Sequence, residues 1–126
     1  MLKNGESLII NVEDKEYYCP VELAMDVIGG KWRAVILWYL KDNTLRFYEL
    51  KQVITAVSER VLTRELRYLE KYQLIQREVY PEVPPRVEYS LTDFGRSLIP
   101  LLERISEFGE AYAGNFGSTT RENEIN

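Results

Sequence analysis

The segment Ser58–Lys71, S-E-R-V-L-T-R-E-L-R-Y-L-E-K, most narrows what this chain can become. Wound at about 100° per residue, it sends Leu62, Leu66 and Leu69 to one side, with Val61 and Tyr72 at the edge of that stripe. Arg60, Arg64, Arg67 and Lys71 fall on the other side within a sector roughly 60° wide, and Thr63 lies beside them. Ser58 is placed to cap the start, its hydroxyl accepting from a first-turn N–H that has no helical partner. An apolar back for a core and an arginine-rich front for phosphates and base edges is what a DNA-reading helix requires. A solvated surface helix has the same composition, so the flanking segments decide between the two.

At 126 residues and 45% hydrophobic, the chain can bury one core and is too short for two. Its net charge of −4 runs against nucleic-acid binding until the charge is placed along the chain. Residues 1–30 carry two basic and six acidic groups, 31–77 carry ten and five, 78–90 one and three, and 91–126 three and six. The basic excess is therefore confined to the middle, around Ser58–Lys71. No apolar run approaches the roughly 18 residues of a membrane span, and the start shows no charged-then-apolar leader pattern. A soluble cytoplasmic protein with no membrane partner is expected.

Leu8–Val12 reads as a short strand and the acidic run Glu13–Glu16 as a loop. Cys19-Pro20 opens a helix, because proline suits the first helical position. Its inward stripe is Leu23, Ala24, Val27 and Ile28, and Gly29-Gly30 ends it. Lys31–Lys41 is apolar almost all round and is the expected central helix. After the turn Asp42–Thr44 and a short strand at Leu45-Arg46 comes a helix over Phe47–Ile54, with Phe47, Leu50, Val53 and Ile54 inward. Its brief link to Ser58 makes the pair a helix-turn-helix.

Past Gln73 the period changes to two. Ile75, Arg77 and Val79 share one face, Gln76, Glu78 and Tyr80 the other, and Val87, Tyr89 and Leu91 supply the matching strand. A stiff proline-rich loop, Pro81–Arg86, joins them. A hairpin directly after a DNA-reading helix is the wing of a winged helix, so the fold class is mainly α with a small antiparallel β-wing. Thr92 caps a last helix, Asp93 to about Tyr112, in which Pro100 should produce a kink. Its stripe of Leu98, Leu101, Leu102, Ile105, Phe108 and Tyr112 exceeds what a small domain needs to cover itself, and is read as a dimerisation element, the alternative being that it packs onto the chain's own core.

The blocks C-P-V-E-L-A-M-D-V-I-G-G-K-W at Cys19–Trp32, R-F-Y-E-L-K at Arg46–Lys51, S-E-R-V-L-T-R-E-L-R-Y-L-E at Ser58–Glu70 and R-E-V-Y-P-E-V-P-P-R-V-E-Y-S-L-T-D-F-G at Arg77–Gly95 resemble the HxlR-type transcriptional regulators, winged-helix proteins related to the MarR group. The resemblance spans roughly Cys19 to Tyr112. It implies a homodimer on a palindromic operator, often as a repressor, and a sensing role for the cysteine at Cys19. It divides the chain into an arm at 1–18, a winged-helix domain with its dimerisation helix at 19–113, and a flexible tail at 114–126. Two departures stand out: Tyr48 where the family often has a helix-capping serine, and Gln73 where a glycine often ends the DNA-reading helix.

The DNA-facing set is thus Lys31, Ser58, Arg60, Thr63, Arg64, Arg67, Lys71 and Arg86. Arg60, Arg64 and Arg67 are assigned to base edges or nearby phosphates, Lys31 and Lys71 to phosphates, and Arg86 to the wing's contact, in the minor groove. Cys19 precedes Pro20 at a helix cap, where the dipole and free N–H groups favour a reactive thiolate, so a small electrophile or thiol is its expected partner. Glu16 and Glu22 oppose that anion, and a lone cysteine also serves as a small buried hydrophobe. With no histidine, no glycine-rich phosphate loop and no metal-ligand spacing, neither enzymatic activity, a metal nor a cofactor is expected. The rival reading is a winged helix used for protein contacts without DNA binding, which leaves the aligned arginines without a purpose.

Overall fold

The computed structural model describes residues 2, 3 and 6–121, with side chains from Leu8 onward. Two short strands, β1 (Leu2–Lys3) and β2 (Glu6–Ser7), pair antiparallel. The next hairpin, β3 (Ile10–Val12) and β4 (Lys15–Tyr17), corrects the expected loop at Glu13–Glu16. Only Glu13-Asp14 turns, with Glu13 at φ 54°, while Lys15 and Glu16 pair with Val12 and Asn11 and keep their charges exposed. Tyr17, at the end of the hairpin, is buried.

Helix α1 (Pro20–Ile28) begins at the proline and closes at Gly29, whose N–H donates to Met25 O (2.9 Å). The chain then turns through Gly30 at φ 84°, a conformation that only glycine adopts without strain. Ile28 is buried and Leu23 and Val27 half-buried, but Ala24 is exposed, contrary to its place in the expected stripe. Helix α2 (Arg33–Leu40) is the central one, with Ile36, Leu37 and Leu40 sealed in the core. Strand β5 (Leu45–Arg46) leads into α3 (Phe47–Val53), whose first turn is closed by Glu49 accepting from the Arg46 N–H (2.8 Å). Tyr48 lies inside that helix and points to solvent. Val53 is 45% exposed, so the inward stripe is Phe47, Leu50 and Ile54 without it.

Helix α4 (Glu59–Lys71) starts as the sequence indicates, Ser58 Oγ accepting from the Val61 N–H (3.1 Å). It ends without a glycine. Gln73 takes φ 62°, a left-handed conformation that costs a side-chain-bearing residue about 1–2 kcal/mol. The exit is held from outside: Thr92 Oγ1 donates to Gln73 O (2.6 Å), Thr92 N–H donates to Leu74 O (3.1 Å), and Leu74 N–H returns to Leu69 O (3.0 Å).

The wing is β6 (Ile75–Tyr80) and β7 (Arg86–Leu91), in a three-stranded sheet of order β5-β7-β6. Its register pairs Ile75 with Leu91, Arg77 with Tyr89 and Val79 with Val87, so the two expected sets share one face. The terminal helix departs from expectation. It is two helices, α5 (Asp93–Arg96), capped by Thr92, and α6 (Ile99–Phe116), with Pro100 in the first turn of the second rather than at an interior kink. A proline at 100 cannot donate to the Arg96 carbonyl and would crowd it, so the ladder stops and restarts where a missing N–H is harmless. Leu102 closes the core beside α2, and the rest of the helix extends to Phe116, beyond the expected end near Tyr112. Of the expected tail, 114–116 are helical and 122–126 lie outside the described residues. Among the described residues no helix is long and apolar enough to cross a membrane. The fold is a mostly helical winged helix-turn-helix with a small antiparallel wing.

Candidate nucleic-acid interface

Helix α4 is fixed by its apolar side and free on its basic one. Leu62, Leu66 and Leu69 are in the core, whereas Arg60, Arg64, Arg67 and Lys71 are exposed. Arg60, Thr63, Arg64 and Arg67 border one surface hollow of about 580 Å³, so four of the expected residues come together. Thr63 and Arg67 also border a second cleft, about 380 Å³, between α4 and the wing. The other expected residues lie apart from these hollows. Lys31 is exposed with its ammonium 5.0 Å from the Trp32 ring centre, and Lys71 stands 5.7 Å from the Tyr72 ring centre at the helix end. Arg86 is folded back on the wing: its guanidinium lies 4.0 Å over the Tyr80 ring, 3.4 Å from Glu82, and its Nε 3.7 Å from Glu88.

Two residues around this surface escape a reading by periodicity. Arg77, grouped by alternation with Ile75 and Val79, is exposed and borders the α4–wing cleft beside Arg67, Glu70 and Tyr89. The covering helix shields that strand face only at Ile75. Burial pushes the Tyr89 phenol up, Arg77 opposes it, Glu70 adds to it, and Arg67 opposes it again, so all three charges are felt at one ring.

The second is Glu65, a carboxylate on the inner edge of α4 that is buried with the leucines. Arg33 Nε donates to it at 2.8 Å, and Arg64 reaches its other oxygen at 3.3 Å. Arg33 also donates to Asp26 O (2.9 Å) and lies 3.4 Å over the Tyr68 ring, and Tyr68 Oη donates to the same carbonyl (2.5 Å). The Asp26 side chain in turn accepts from Tyr17 Oη and pairs with Lys15 (3.4 Å). A continuous polar chain thus runs from the N-terminal hairpin through α1 and α2 to α4. An Arg–Glu spacing of this length in sequence carries no local signal.

The Tyr17–Asp26 bond holds Asp26 below the usual carboxylate range and pushes Tyr17 up to about 12 from its ordinary 10. For Tyr17 the folded state favours the neutral phenol, so its contribution is complete below pH 10 and vanishes as pH rises to about 12. The advantage in melting temperature of the wild type over Tyr17→Phe should therefore be constant from neutral pH up to pH 10 and close between 10 and 12. A difference that persists at pH 12 would show that the hydroxyl contributes through packing instead.

Cys19 is the residue before α1, half-buried and extended (φ −152°), with its side chain making no capping bond and its carbonyl accepting from Leu23 N–H (3.2 Å). Leu102 on α6 belongs to the chain's own core, and Leu98, the residue before α6, packs against that core, so they do not share the exposed stripe. Leu101, Ile105, Phe108 and Tyr112 are exposed, continued by Phe116, and the last three rings contact in series at 6.2 and 4.9 Å.

Comparison with known proteins agrees with this geometry. The HxlR-like helix-turn-helix family model matches residues 27–116. An HTH-type transcriptional regulator of Methanothermobacter thermautotrophicus, itself uncharacterized, is 53% identical over 102 residues, 81% of this chain and 78% of the relative. YdeP of Bacillus subtilis, likewise named an HTH-type transcriptional regulator, is 48% identical over 94 residues, 75% of this chain and 73% of its own. Among solved structures, the redox regulator HypR in its oxidized form has a TM-score of 0.72 at 46% identity, covering 74% of this chain and 96% of that one. The reduced transcriptional regulator YodB from B. subtilis has a TM-score of 0.64 at 32% identity, covering 78% and 93%. This chain belongs to the HxlR-like helix-turn-helix family and is a transcriptional regulator of the helix-turn-helix type.

Proposed function

We propose that the protein binds a palindromic operator as a homodimer, acts there as a repressor, and is released when Cys19 is modified. The observation that carries the DNA-binding reading is the facing of α4, with its leucines sealed in the core and Arg60, Arg64 and Arg67 exposed around one hollow. In this reading the start of α4, at Ser58, enters the major groove. Arg60, Thr63, Arg64 and Arg67 meet base edges and adjacent phosphates, Lys31 and Lys71 meet phosphates, and Arg86 leaves its two glutamates for the minor groove. The exposed α6 stripe joins two protomers and sets half-sites about 34–36 Å apart.

The test is binding of the purified protein to the operator found by genomic footprinting. Arg64→Ala and Arg67→Ala should each cost about 1–3 kcal/mol and relax base preference. Unchanged affinity in both, with the fold intact, would favour a protein-contact module. Because Leu102 seals the core, the dimer is better tested by Phe108→Glu and Tyr112→Glu than by truncation. Sedimentation should then show monomers with weak operator binding.

The likeness to HypR, described as a redox regulator, supports the role of Cys19. With one cysteine in the chain, modification means either a Cys19–Cys19 bond across the dimer, two thiols giving two protons and two electrons to an oxidant, or addition to a quinone. In the addition a sulfur–carbon bond forms and the ring takes up the proton. Quinone should release the wild type from its operator and leave Cys19→Ser bound; equal responses would remove Cys19 from sensing.

A further inference from the structure

We infer that the cleft between α4 and the wing extends the DNA-facing surface by one site for a DNA phosphodiester, in which Arg77 joins Arg67 on the backbone and Glu70 holds Arg77 until DNA arrives. The inference rests on α4 being the DNA-facing helix and adds a binding residue from the wing strand. Arg77 and Tyr89 are direct cross-strand partners, so both side chains leave the same face of the wing, and both border the cleft opposite Thr63, Arg67 and Glu70. Two guanidinium groups and two hydroxyls therefore border a space of about 380 Å³ in which Glu70 is the one acidic lining residue. The cleft shares Thr63 and Arg67 with the hollow that Glu59, Arg60 and Arg64 border, so guanidinium groups follow one another from α4 onto the wing with one carboxylate beside each hollow.

The Arg77–Glu70 contact has the properties of a holding contact. Nε and Oε2 are 3.4 Å apart, and the side chains are 50% and 39% exposed. A pair so solvated shifts an equilibrium by about fivefold or less. A phosphate offers the same guanidinium two parallel charge-assisted bonds, and its arrival displaces the carboxylate without breaking into the core. Glu70 then faces the phosphate as a like charge, so it opposes binding twice, by holding Arg77 and by repulsion.

Because backbone contacts do not depend on sequence, the experiment needs no operator. Full-length protein is titrated into a mixed-sequence duplex of about thirty base pairs, long enough for two half-sites, over a range of salt concentrations. Arg77→Ala should lower the slope of log affinity against log salt by about 0.9 per protomer, and Arg77→Lys should restore most of it. Glu70→Gln should tighten binding about two- to fivefold at low salt. Thermal melts confirm that each variant is folded. The double variant Arg77→Ala with Glu70→Gln must keep the reduced slope, because recovery to wild type would assign the loss to an unmasked carboxylate and overturn the site. An unchanged affinity in Glu70→Gln overturns the holding role. If Arg67→Ala lowers the slope and Arg77→Ala does not, this site is overturned and α4 remains the DNA helix. If neither does, the placement of α4 itself falls.

Discussion

Arg33→Ala should destabilise the protein by about 3–5 kcal/mol in urea denaturation, because it strands a buried carboxylate on α4. Arg33 and Glu65 expose only 22% and 11% of their side chains, and their 2.8 Å contact is reinforced by the Asp26 carbonyl and the Tyr68 ring. Removing the arginine leaves Glu65 with Arg64, at 3.3 Å and 66% exposed, as its charged partner. Arg33→Lys should fall between the two, since an ammonium cannot span Glu65 and Asp26 with one planar fork. Replacing both partners, Arg33→Met with Glu65→Leu, should recover most of the stability, as an apolar pair of similar volume carries no desolvation cost. Operator selectivity should not recover in that double variant, because Arg64 loses the carboxylate that orients it. A loss under about 1 kcal/mol in Arg33→Ala would mean that water solvates Glu65 more than its burial implies.

Gly95→Ala should cost about 3 kcal/mol, a large effect for one methyl group. A Cβ at this position would lie 2.1 Å from the carbonyl oxygen of Leu74 and 3.0 Å from its carbon. Neither can yield cheaply: they are backbone, and that oxygen already accepts from Thr92 N–H while Leu74 N–H is bonded to Leu69. The substitution therefore has to push α5 away from the exit of α4. The loss should appear in thermal melts. A wild-type melting temperature would show that this junction can open without cost to the fold.

How far the sequence reveals such features depends on whether their cause is local. Helix α4 is legible because its period, its Ser58 cap and its arginine face all lie within one segment. The wing is legible because alternation on both strands gives Ile75, Arg77 and Val79 one face and Val87, Tyr89 and Leu91 the matching strand, which the register then pairs as Ile75–Leu91, Arg77–Tyr89 and Val79–Val87. Alternation does not tell how far along a strand the covering helix reaches, so it groups Arg77 and Val79 with Ile75, which alone of the three is buried. The split of the terminal helix was signalled by Pro100, but a kink and a restart have the same local signature; packing of Leu102 beside α2 selects the restart. In the N-terminal hairpin, the acidic composition points to a loop, and the burial of Tyr17 against α1 is what orders it. Glu65 was hidden for a related reason, its partner lying on another helix.

The free length of α6 has a mechanical consequence. From Glu103 to Phe116 the helix runs about 21 Å beyond its anchor at Leu102, at the usual rise of 1.5 Å per residue. In a dimer joined along that free length, it is a lever whose fulcrum is the core contact. Tilting it by about 10° displaces its far end by roughly 3.7 Å, close to the 3.4 Å rise of one base pair. A change of a few degrees in how two such helices cross would therefore put the α4 helices out of phase with successive turns of the duplex, with every arginine still in place on its own protomer.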